Sequence, residues 1–114
     1  MVGIALSFGL KFKKEKKLKD EPPQILRVWT DPPEGKVGET ISLCFNAKDD
    51  HQLKEIKFYA EPLGETQISI SQSNFFLCLP AIFEKEGEFS FEVQAKDDSE
   101  QWSEKVSQLI LIKK

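Results

Sequence analysis

The chain has one histidine, one arginine and two cysteines, and it lacks any apolar run long enough to cross a bilayer. Each scarcity closes off a class of function. A Ser-His-Asp or Cys-His arrangement would have to be built on His51, which sits in a polar stretch between Asp50 and Gln52 and reads as a solvated loop residue. Cys44 and Cys78 do not form a Cys-x-x-Cys pair and have no histidine partners at metal-ligand spacing, which argues against zinc and dithiol redox chemistry. Arg27 stands alone against fifteen lysines, so bidentate clamping of phosphate or carboxylate has one candidate only. A net charge of −3 and a pI near 5.2 provide no general basic surface, and no nucleic-acid partner is expected. Carboxylates are plentiful, yet nothing in the sequence ties two of them across a cleft, and an enzyme is not expected.

What is present is the composition of a soluble fold. Of 114 residues, 39% are hydrophobic and 31% charged, with nine phenylalanines, which is too apolar for a disordered chain. That length holds one domain with one core and a short appendage. The composition breaks near Asp20-Glu21-Pro22-Pro23, dividing the chain into residues 1–21 and 22–114.

Residues 1–10 are small and apolar, and six lysines then fall within residues 11–19. A secretory signal has the reverse order, with positive charge first and a small-residue cleavage site last. Four readings stay open for this segment. Ile4, Leu6, Phe8, Leu10 and Phe12 alternate as in a strand; the apolar-then-basic order suits an anchor on anionic lipid, and hence membrane contact; the segment is an unstructured tail; or the chain begins inside a longer membrane segment.

From Pro22 onward, short alternating runs are separated by turn residues every eight to twelve positions, the pattern of an antiparallel β-sandwich or barrel. Seven strands are predicted, over 24–30, 40–47, 55–60, 66–70, 75–79, 88–95 and 105–112. No segment holds a 3.6-residue period, and at most one helical turn is expected, near 81–85. Alternation assigns Ile41, Leu43, Phe45, Ile56, Phe58, Phe89, Phe91 and Val93 to the core.

One string occurs twice, Ala47-Lys48-Asp49-Asp50 and Ala95-Lys96-Asp97-Asp98, each after an alternating apolar run. Gly38-Glu39-Thr40-Ile41-Ser42-Leu43 leading into the first copy, followed by Leu53-Lys54-Glu55-Ile56, resembles the second-to-third strand passage of bacterial immunoglobulin-like domains. Residues 87–97, with Trp102-Ser103, resemble their sixth strand, a stretch shared with fibronectin type III domains. The likeness covers roughly residues 22–112 and implies a seven-stranded immunoglobulin-like β-sandwich, an architecture that does not carry an activity with it. The chain departs from the antibody type: the sixth strand has no cysteine, the third has no tryptophan, and Phe89 replaces the tyrosine of a tyrosine corner.

The resemblance implies that the second and sixth strands run to one pole, where small Ala47 and Ala95 fit between converging sheets. An aspartate opening each loop can accept a bond from an amide two residues on. It also makes the second and fifth strands neighbours, so a disulfide between Cys44 and Cys78 on the outer face is one expectation and two free thiols the other.

The function expected from this reading is a noncatalytic spacer, adhesion or protein-interaction module of a cell-envelope or surface assembly, with neighbouring domains or a protein as partner. The competing reading is ligand binding. Calcium would sit among Asp49, Asp50, Asp97 and Asp98, possible members of a hard-oxygen site, and carbohydrate would stack on Trp29, Tyr59 or Trp102. Against these stand turn formation for the aspartates and core closure for Trp102. No other cofactor is expected.

Overall fold

The computed structural model describes residues 21–114; the readings made for residues 1–20 lie outside them. Six strands occur among the described residues: β1 Gln24–Asp31, β2 Glu34–Lys36, β3 Thr40–Ala60, β4 Gly64–Ile82, β5 Gly87–Asp97 and β6 Val106–Lys113. Two of the expected loops are absent, because the predicted second and third strands run together as β3, and the predicted fourth and fifth as β4. A short β2 that alternation did not reveal pairs in parallel with β6. The helical turn expected near residues 81–85 is absent: β4 continues to Ile82, and irregular chain with a bend at Lys85 follows. There Phe83 is buried against Phe89, ring centroids 4.9 Å apart, and that contact replaces a local helical bond.

The physical reason for the merger is a bulge. Lys48 pairs with Asn74 and Leu53 with Gln72, so five steps along β3 answer two along β4. The surplus residues, Asp49 to Gln52, leave the ladder and turn the strand from one layer into the other. Residues 40–48 pair with β1 and with residues 74–82 of β4, and residues 53–60 pair with β5 and with residues 64–72. The first layer is therefore β1, the first half of β3 and the second half of β4. The second is the first half of β4, the second half of β3, then β5, β6 and β2.

Inward rows from both layers meet at Phe45, whose ring lies 5.9 Å from Phe75, 6.2 Å from Phe58 and 6.4 Å from Phe91. Ile41, Leu43, Ile56, Val93, Ile110 and Ile112 fill the space around them. Seven of the eight residues assigned to the core by alternation are buried; Phe89 is half-buried at the rim. Leu53, Phe83 and Val28 join the core without having been foreseen, since each lies at a bulge or a strand end where the period of two is broken.

Candidate functional site

The two copies of the repeated string converge. Ala47 and Ala95 are both fully buried where the layers close together, and beyond them the Asp98 amide donates to the Gln52 carbonyl at 3.1 Å, tying one loop to the other. Each first aspartate is buried and folds its own loop. Asp49 Oδ2 accepts from the His51 amide at 2.9 Å. Asp97, with no solvent exposure, accepts at Oδ1 from the amides of Ser99 at 3.0 Å and Gln101 at 2.9 Å, and at Oδ2 from the Gln101 side chain at 3.1 Å. A carboxylate suits this position because it is acceptor-only and has lone pairs enough for several converging donors.

The second aspartates are exposed. Asp50 Oδ2 accepts from the Glu21 amide at 3.2 Å, and Oδ1 lies 3.7 Å from His51 Nδ1. Ligand atoms of Asp49, Asp50 and His51 fall within 4.8 Å of one another, so these three form one acidic cluster, and the Asp97 carboxylate is engaged by its own loop. Sequence reasoning placed four aspartates together as a set and read His51 as solvated; the structure adds His51 to the cluster.

The two copies differ at the lysine. Lys48 is exposed, whereas Lys96 lies on the outer face of the second layer, 3.5 Å from Glu55 and 3.0 Å from Glu100. Glu100 also pairs with Lys54. The bond to Glu100 raises the Lys96 ammonium above the ordinary lysine range, with Glu55 adding to it. The Glu100 carboxyl is held below the ordinary glutamate range, first by Lys54 and then by Lys96. Glu100 has a left-handed backbone conformation, φ 67°, that a β-carbon disfavours, and its amide donates to the Asp97 carbonyl at 3.1 Å.

Trp102 does not close the core, as its sequence context implied. Its ring lies on the outer face of the second layer, half-buried, with Lys57 Nζ 4.9 Å and Lys96 Nζ 5.2 Å from the centroid. One side of it lines a cleft with Pro22, Gln24, Leu26, Glu104 and Val106. Its neighbour Ser103, unnoticed as a polar core residue, is buried; Ser103 Oγ accepts from the Ala95 amide and donates to the Glu104 carbonyl, both at 2.9 Å. Tyr59 is exposed on the same outer face, beside Lys57 and Glu92.

On the outer face of the first layer, Cys44 and Cys78 stand opposite each other and are joined by a disulfide, with Cα atoms 4.0 Å apart. Trp29 pairs with Cys44 across β1 and β3, stacks on Phe76 at 5.8 Å and carries the Arg27 guanidinium 4.3 Å from its ring. Cys44 is thereby buried on a face that alternation read as polar.

No protein-family model and no curated protein sequence matches the chain. Solved structures do. A PKD domain of an M14-like peptidase from a Thermoplasmatales archaeon superposes with a TM-score of 0.71 at 17% identity, over 83% of this chain and 99% of that one. A Niemann-Pick type C2 protein from the Japanese carpenter ant gives a TM-score of 0.53 at 9% identity, over 82% and 95%. A CARDB domain from Pyrococcus furiosus, solved in complex with di-metal ions, gives 0.52 at 8% identity, over 82% and 94%. At these identities the likeness concerns the fold: an all-β, immunoglobulin-like sandwich.

Proposed function

We propose that this chain is a noncatalytic immunoglobulin-like module, a spacer or protein-interaction unit of a cell-envelope or surface assembly. The observation that carries this reading is how the pole uses its most reactive-looking group. The buried Asp97 carboxylate is enclosed by donors of its own loop, so it braces two strand ends and presents no acid or base to a substrate. The Cys44–Cys78 disulfide supports an oxidising compartment, where such bridges persist. Surface labelling of intact cells with a membrane-impermeant reagent, together with non-reducing alkylation of the native protein, tests the reading. Exposure to the label with both cysteines protected supports it; a chain confined to the cytoplasm with two free thiols overturns it.

The Asp49, Asp50 and His51 cluster favours a second reading, a cation at the junction between this module and its neighbour. A hard cation such as calcium takes oxygen ligands, and a ligand held only by the folded state raises the melting temperature with its saturation. Thermal melts in millimolar calcium and in chelator decide it. A rise that Asp50→Asn abolishes supports the cation, and superimposable melts remove it. Carbohydrate on Trp102 is tested by a glycan array read with and without Trp102→Ala. Membrane contact through residues 1–20 is tested by co-sedimentation with anionic liposomes, comparing the full chain with residues 21–114.

A further inference from the structure

Three strands have an unpaired edge among the described residues, and two of them carry the usual protections against pairing. β1 contains Arg27 and Asp31, has a bulge between Ile25 and Arg27, and lies between two Pro-Pro pairs. β2 is three residues long and places Glu34 and Lys36 beside its glycine. β4 has only Glu65 at its start and Pro80 near its end. It is 19 residues long, bonds only to β3, and has no charged residue from Gln67 to its end, in a chain that is 31% charged. Its inward row is incompletely covered as well, since Ile68 and Ile70 pack against the core but are only half-buried.

We infer that residues 66–72 of β4 are a self-association edge, which pairs antiparallel with the same residues of a second copy of this chain. The occupant follows from the symmetry of the segment. Thr66, Ile68 and Ile70 face inward and Gln67, Ser69 and Ser71 outward. A two-fold axis through Ser69 sets Ile68 against Ile70 of the second copy, and Gln67 against Ser71, so both apolar residues are covered and every outward pair is a polar, hydrogen-bonding one. Each copy bears a net charge of −3, and an edge without charge is where two such copies meet with no like-charge contact. The second half of β4 is a poorer edge, because Pro80 has no amide proton to donate. Seven paired residues bury less than the roughly 1,200 Å² at which stable interfaces begin, so the dimer is expected to form and dissociate with concentration. Self-pairing is independent of the spacer reading, which a strictly monomeric module would leave intact.

The test uses the full chain. Sedimentation velocity is expected to show a monomer–dimer equilibrium that Ser69→Lys removes by placing two ammonium groups on the axis, while its melting temperature, measured at low concentration, stays that of the parent because Ser69 is exposed. Under mild oxidation Ser69→Cys is expected to yield a 69-to-69 linked peptide, since paired Cβ atoms stand about 4.5–5.5 Å apart, close to disulfide reach. Gln67→Cys, offset by two residues from the axis in each copy, is expected to yield none. A monomer at every concentration, with no 69-to-69 peptide, overturns the inference. So does an association that vanishes when residues 1–20 are removed and leaves position 69 unlinked, which would give the edge to that segment instead.

Discussion

Asp97 and Asp98 are adjacent and chemically identical, yet the fold treats them differently. Asp97 is fully buried with loop amides converging on it, and Asp98 is exposed with its backbone alone engaged. Asp97→Ala strands those donors in the interior and is expected to cost about 3 kcal/mol in urea denaturation, whereas Asp98→Ala is expected to stay within about 0.5 kcal/mol. Equal costs would show that the two loops do not depend on the buried carboxylate. At the same pole, Glu100 titrates below the ordinary glutamate range because Lys54, then Lys96, favours its charged form. A group whose pKa is lowered by folding adds stability above the ordinary range and loses it as pH falls through the lowered value. Lys96 is the mirror case, adding stability below the ordinary lysine pKa and losing it as pH rises through its raised one. Carboxyl-detected NMR titration checks this, with Lys54→Met expected to move Glu100 back towards the ordinary range further than Lys96→Met does. Glu100 is solvent-exposed and Lys96 half-buried at the surface, so the expected readout is the titration midpoint, not the melting temperature.

At the scale of elements, β3 and β4 form one long hairpin that serves both layers, and two devices hold it. At its tip Gly64 adopts φ +72°, a conformation that an added β-carbon makes costly. Across its middle, Cys44 is bonded to Cys78, 34 residues away in sequence. Closing a loop of that length restricts the unfolded chain, and on the chain-entropy account its loss costs about 3–4 kcal/mol. Replacing both cysteines by alanine is therefore expected to lower the melting temperature by more than ten degrees while leaving the fold's circular-dichroism signature in place. An unchanged melting temperature would mean that stacking of Trp29 on Phe76 and the ladder alone hold that face.

For the whole molecule, the two layers meet at Phe45, Phe58 and Phe91, in the middle of the buried core. Truncation of a buried phenylalanine removes both transfer free energy and packing, typically about 3–5 kcal/mol, against a total of about 5–15 kcal/mol for a domain of this size. Phe91→Ala is expected to shift the denaturant midpoint accordingly. Phe76→Ala, at 59% exposure on the outer face, is expected to shift it far less. Comparable losses would mean that the outer face is covered in the native protein.

A common pole for the two Ala-Lys-Asp-Asp copies was implied by the resemblance to immunoglobulin-like domains; the alternation of apolar and polar residues by itself was sufficient to indicate an all-β chain and the inward rows of β3 and β5. These are consequences of a period of two and of local turn chemistry, both written in neighbouring residues. The number of strands was not legible. Whether Asp49 to Gln52 form a loop or a bulge depends on whether the backbone on either side stays bonded to β4, and those partners lie 26 and 19 residues away, Asn74 for Lys48 and Gln72 for Leu53. For the same reason no local pattern could reveal that Trp102 lies under Lys57 and Lys96, or that Ser103 is buried against Ala95. Which residues alternate is a property of the chain; which of them are covered, and by what, is decided only when strands distant in sequence are brought side by side.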